Sequence, residues 1–146
     1  MTDRRLRTAI VFLGLAGLGI TSYLVAVRYS GGRILCSTGG CETVQHSRYA
    51  TLAGVPVAVL GLVGYALIVA SALVRHELAA LVGTVVVLVG LAFGLYLVHV
   101  QVSVIGATCE WCLASDAVLA LLLPAALLRL VRATRIQGGA SFVSPV

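Results

Sequence analysis

Four cysteines in two spaced pairs are the residues of this chain best suited to chemistry. Cys36 and Cys41 form a C-x4-C with Gly39 and Gly40 between them, and Cys109-Glu110-Trp111-Cys112 is a C-x-x-C. Paired thiols exchange disulfides, staple a fold or hold zinc, and four cysteines allow three pairings. Zinc is a loose match to one four-residue and one two-residue spacing, so no metal is expected. Asp116 stands seven residues after Cys109 and four after Cys112. On a helix of 3.6-residue period the three share one face. A thiol at a helix N-terminus meets unsatisfied backbone N–H groups and the positive end of the macrodipole, which lowers its pKa. Thr108 is placed to cap such a helix.

The elements that position these thiols are apolar. The 146 residues are 60% hydrophobic and 10% charged, with a mean hydropathy of +1.10. A soluble domain has roughly 25% charged residues. The net charge of +5 comes with no basic stripe, so no nucleic-acid partner is expected. Ala9–Val27, Val55–Val74 and Leu78–Val98 are charge-free runs. Each matches the roughly 20 helical residues that cross a hydrocarbon core. A fourth run, Leu113–Leu130, carries Asp116, Pro124 and Arg129 and is weaker. These runs predict an all-α membrane protein, a bundle of four transmembrane helices with a long outer loop, Arg28–Gly54, between helices 1 and 2. The expected spans are 9–29, 55–74, 78–100 and 109–131, within a domain of residues 1–136. Residues 137–146 read as a disordered tail. The first run is too long for a signal-peptide core and lacks a small-residue cleavage site after it.

All ten cationic side chains are arginine. Arg4, Arg5, Arg7, Arg75, Arg129, Arg132 and Arg135 fall on one side of a four-span topology, and Arg28, Arg33 and Arg48 on the other. The arginine-rich side is expected to be cytoplasmic. Both termini then lie inside a plasma membrane, and all four cysteines lie on the extracytoplasmic face, where disulfides persist.

With the cysteines placed, the chain resembles the vitamin K epoxide reductase family in its short bacterial, stand-alone form. The resemblance rests on Cys36 with Cys41, on the run Cys41-Glu42-Thr43-Val44-Gln45-His46-Ser47-Arg48-Tyr49-Ala50 into Gly54-Val55-Pro56, and on Cys109-Glu110-Trp111-Cys112-Leu113. It spans about residues 9–131. The resemblance implies a four-helix bundle around a quinone site, menaquinone or ubiquinone, with the C-x-x-C beside the quinone. It also implies a DsbA-like, thioredoxin-fold thiol oxidase outside the membrane as the partner to be reoxidised. By position, Cys41 is attacked by the partner, Cys36 then attacks Cys109, and Cys112 passes electrons to the quinone. Ser47 matches a loop serine that supports the site. Some relatives carry tyrosine where Asp116 stands, which favours quinone reduction here over epoxide reduction.

Around the quinone, Asp116, His99 and Trp111 join Cys112 as candidate contacts. Asp116 is an ionisable group inside a span, which marks function by default. Its alternative role is to stabilise the first turns of its helix. His99, near the outer end of span three, suits a carbonyl contact or a proton shuttle. Trp111 equally suits an interfacial aromatic belt. Two readings stay open beside the oxidase: a quinone-epoxide reductase, and a non-enzymatic protein whose cysteines bind metal or staple the bundle.

Overall fold

The computed structural model describes residues 3–141. Helix α1 spans Asp3–Ser30, with Asp3 in its first turn and Arg28 in its last, each matching the local end of the helix dipole. A loop leads to the short helix α2, Cys41–Gln45, and a 3-10 turn, Arg48–Ala50. Strands β1, Thr51–Leu52, and β2, Val55–Pro56, pair antiparallel with Leu52 opposite Val55. Ala53 (φ 50°) and Gly54 (φ 82°) make their two-residue turn, both in the left-handed region that such tight hairpins require.

Helix α3 covers Val57–Leu73, so Val55 and Pro56, expected at the start of the second span, belong to the hairpin instead. Pro56 lies in an extended conformation at the helix N-cap. Helix α4, Glu77–Val100, is capped by His76, whose Nδ1 accepts the Leu78 N–H at 3.2 Å. A π-helical turn, Gln101–Ile105, follows and stops at Gly106, which adopts a left-handed φ of 68°. Helix α5, Glu110–Ser141, holds Pro124 inside it. It runs on into the segment assigned to a tail, and residues 142–146 lie outside the described residues.

Three helices, α1, α4 and α5, are long and apolar enough to cross a membrane, and α3 is a shorter apolar helix of 17 residues. Helices α1, α3, α4 and α5 pack in a ring, each against the next, with α5 closing on α1. Ile10, Tyr65, Ile68, Val87, Leu119 and Leu122 meet in its centre. Large apolar side chains also cover the outside: Phe12 is 70% exposed and Val89 63%. An apolar exterior over apolar helices is what lipid requires, because backbone polar groups are satisfied within each helix. The chain is a multi-pass, all-α membrane protein.

Small residues let the helices close up. A Cβ on Gly17 would strike the Tyr65 ring, so α1 and α3 approach there only because Gly17 has none. The Tyr65 hydroxyl reaches α5, donating to the Ser115 carbonyl at 2.8 Å, with the Ser115 hydroxyl 3.0 Å away. All four cysteines sit at one end of this ring, at the C-terminus of α4 and the N-terminus of α5.

Candidate active site

The loop pair is a disulfide, Cys36–Cys41, with Cα atoms 6.1 Å apart. Cys109 and Cys112 are free thiols. The loop is docked on the start of α5 by several bonds. The Ser37 N–H donates to Glu110 Oε1 at 2.8 Å, and the Trp111 indole N–H donates to the Leu35 carbonyl at 2.7 Å. The Leu35 N–H donates to the Tyr23 hydroxyl at 3.0 Å, and the Tyr23 and Trp111 rings lie 4.9 Å apart. A Cβ on Gly40 would stand 2.5 Å from the Thr108 carbonyl oxygen, so only glycine admits this approach. Cys41 and Cys109, both fully buried, share one apolar cluster with Val44. Cys36 is half-buried. The Glu110 carboxylate lies within 4.8 Å of both loop sulfurs.

The α5 terminus is built around Cys109 itself. Its carbonyl accepts the Leu113 N–H at 3.0 Å, which opens the helix. Its sulfur accepts the Cys112 N–H at 3.4 Å, the part a side chain plays at an N-cap. Cys109 therefore takes the capping place expected of Thr108, whose carbonyl instead accepts from the Thr38 hydroxyl at 3.3 Å. The Cys109 N–H donates to the buried Gln101 side-chain oxygen at 2.9 Å. The Cys112 thiol donates to the Cys109 sulfur at 2.8 Å. That hydrogen bond, with the helix N–H groups, lowers the pKa of the Cys109 thiol against the opposing effect of burial. Cys109 stands just ahead of α5, outside the helical span.

Below this terminus lies a cavity walled by Leu24, Leu97, Val100 and Ile105, with Gln45, Ser47, Tyr49, Gln101, Cys112 and Asp116 among its polar members. Gln45 Nε2 approaches the Cys112 sulfur at 3.9 Å. Ser47 donates to the Val44 carbonyl at 2.7 Å and ties the end of α2 to the cavity wall. Gly94 faces Asp116, and a Cβ there would collide with the carboxylate. A groove of about 490 Å³ between α3 and α4, past Leu60, Tyr65, Gly90 and Phe93, shares Gly61, Gly94, Ser115 and Asp116 with the cavity.

The structure thus brings together Cys36, Cys41, Cys109, Cys112, Ser47 and Asp116. It places His99 and Trp111 differently. His99 is exposed, with the Ser103 hydroxyl 3.5 Å from its Nδ1, and Trp111 clamps the loop; neither lines the cavity. Sequence reasoning passed over Gln45, Gln101, Tyr23 and Glu110. Gln101 had a signal, as an amide at the end of an apolar run a few residues before the C-x-x-C.

Fold and site define a class: a multi-pass membrane oxidoreductase carrying two cysteine pairs. Residues 8–127 match the family model of the vitamin K epoxide reductase family. The chain belongs to that family. Its proteins act with quinones and use cysteine redox pairs, and this chain is a membrane oxidoreductase of that kind.

Proposed function

We propose that the protein spans the membrane four times and moves electrons from an extracytoplasmic thioredoxin-fold dithiol, through the loop pair and then the C-x-x-C pair, to menaquinone or ubiquinone. The observation that carries this reading is the shared burial of Cys41 and Cys109 beneath a loop whose other cysteine stays accessible. In the first exchange, a partner thiolate attacks the Cys36 sulfur, the Cys36–Cys41 bond breaks, and Cys41 leaves as thiolate. The partner's second thiolate then releases Cys36, so the partner becomes a disulfide and the loop a dithiol. Next, Cys41 attacks Cys109 of the oxidised C-x-x-C, Cys112 leaves, and Cys36 resolves the mixed disulfide. Two electrons and two protons have then reached Cys109 and Cys112.

This order within the loop is the reverse of that implied by the resemblance. Thiol exchange needs access to the attacked sulfur. A fully buried Cys41 offers an external thiolate no approach, whereas its place in one cluster with Val44 and Cys109 suits the internal step. The arginine distribution supports the orientation, with the cysteine end outside.

The cavity fits a quinone head. Its walls are apolar, and the amide of Gln45 and the carboxyl of Asp116 stand ready for two ring oxygens. Cys112 is the cysteine that lines it. A bound quinone supplies a two-electron, two-proton acceptor. The chain's part is to hold Cys112 at the wall, keep Asp116 in place as a proton carrier, and exclude water through Leu24, Leu97 and Ile105. The groove between α3 and α4 joins the lipid to the same carboxyl.

The test uses purified protein, dithiothreitol and a short-chain quinone, following quinone absorbance. Cys112→Ala should lose all turnover. Cys36→Ala should keep turnover with dithiothreitol, which reaches the C-x-x-C directly, and lose it with a thioredoxin-fold dithiol. Turnover surviving in Cys112→Ala would contradict the assignment.

A further inference from the structure

The end of the bundle opposite the cysteines holds a second cavity, about 610 Å³, built from the start of α1, the α3–α4 turn and the second half of α5. Five arginines line it, Arg7, Arg75, Arg129, Arg132 and Arg135, against two carboxylates, Asp3 and Glu77. Arg129 and Arg7 have a structural task at the end of α3. Arg129, only 6% exposed, donates to the Ser71 and Val74 carbonyls at 2.8 and 2.7 Å. Arg7 donates to the Ala72 and Leu73 carbonyls at 2.7 and 2.8 Å. Together they cap the last turn of α3, where orphan carbonyls and the negative dipole end attract cations.

Capping does not account for Arg75 and Arg135. A guanidinium carries five N–H donors, and the α3 carbonyls take two from each of these arginines. Arg75 and Arg135, both exposed, bring further positive charge to the same hollow from the turn and from α5. The arginines of this hollow outnumber its two carboxylates, and like charges at the edge of a low-dielectric bundle repel unless a further anion offsets the excess. Planar, bidentate forks suit phosphate oxygens, and the carbonyl bonds fix two of those forks beforehand. The hollow lies at the ends of the apolar helices opposite the cysteines, where the proposed topology puts lipid headgroups. Basic pockets between membrane helices hold anionic headgroups by this chemistry.

We propose that this cavity is a binding site for a phosphate-bearing anion, presented by an anionic lipid headgroup or free in solution. The site stands apart from the cysteine relay and does not depend on it.

Full-length protein in phosphatidylcholine–detergent micelles would be titrated with phosphatidylglycerol, and separately with inorganic phosphate at constant ionic strength, reading the thermal midpoint and lipid retention by native mass spectrometry. The variants are Arg75→Gln/Arg135→Gln, whose side chains are exposed, and Arg33→Gln at the other end as control. The wild type and Arg33→Gln should retain phosphatidylglycerol and gain several degrees. The double variant should bind about tenfold more weakly or worse, as expected on losing two charge-assisted contacts. Stabilisation by the lipid alone assigns the anion to a headgroup, and stabilisation by phosphate as well assigns it to a phosphate open to water. No selective gain with either anion, or an equal loss in Arg33→Gln, would overturn the proposal.

Discussion

The Gln101 side-chain oxygen accepts the Cys109 backbone N–H at 2.9 Å, so the π-helical turn after α4 holds the first residue of the C-x-x-C in place. Both groups are buried. Gln101→Leu strands that N–H without a partner, a loss of about 1–3 kcal/mol. The thermal midpoint should fall, and turnover should fall with it because Cys109 loses its anchor. Gln101→Glu, which keeps an acceptor oxygen, should recover part of the midpoint.

Gly94 and Gly90 make a matched pair of tests on one face of α4. A Cβ at Gly94 runs into the Asp116 carboxylate, whereas one at Gly90 meets a Leu119 methyl at 3.4 Å. Gly94→Ala should raise the quinone KM by about tenfold or more, the scale of one displaced polar contact. Gly90→Ala should change it little. Steady-state kinetics with varied quinone separates the two, and equal effects would deny Asp116 a place in the pocket.

The titration of Cys109 has a definite sign. The Cys112 thiol hydrogen bond stabilises the Cys109 thiolate and holds its pKa below the ordinary thiol range. In a Cys36→Ala/Cys41→Ala background, thiolate absorbance in the ultraviolet should rise at a pH below the ordinary thiol range. Cys112→Ala removes the first of the stabilising contacts and should move the rise toward the ordinary thiol range near 8.5. No shift on that substitution would contradict the assigned cause.

Much of this was legible in the residues, for reasons that can be named. Charge-free runs announce helices because a membrane leaves few alternatives to them. The C-x4-C and C-x-x-C spacings announce thiol chemistry because few other tasks need both at one end of a bundle. The boundaries were less legible. Pro56 was counted into the second span, but an Ala53–Gly54 turn with two left-handed residues takes Val55 and Pro56 into a hairpin. Contacts between distant segments were not legible at all. Ser37 to Glu110 and Leu35 to Trp111 are separated by more than seventy residues, and no local pattern encodes them. Trp111, read from the sequence as a candidate quinone contact, is held to the loop by one such bond, its indole N–H to the Leu35 carbonyl.

That clamp is testable. Trp111→Phe deletes the indole donor to the Leu35 carbonyl and keeps most of the ring surface against Tyr23. Proteolysis at the loop near Arg33 should quicken, and turnover with a thioredoxin-fold dithiol should drop severalfold. Turnover with dithiothreitol should hold, since both thiols of the C-x-x-C remain and Trp111 does not line the cavity. A uniform loss with both donors would place Trp111 in the quinone site after all.

The relay order is the central claim, and a trapped mixed disulfide tests it most directly. The probe is a thioredoxin-fold thiol oxidase whose attacking cysteine is activated as a mixed disulfide with an aromatic thiol. It is added to reduced Cys41→Ala and Cys36→Ala proteins and followed on non-reducing gels. In Cys41→Ala, Cys36 should capture the probe, and with Cys41 gone no neighbour resolves the bond. A species of summed mass should accumulate and dissolve in dithiothreitol. In Cys36→Ala, the buried Cys41 should bond Cys109 internally after mild oxidation, seen as the loss of two alkylatable thiols, and little probe should be held. Capture of the probe by Cys41 in Cys36→Ala, with none by Cys36 in Cys41→Ala, would contradict the order that the burial of these two sulfurs implies.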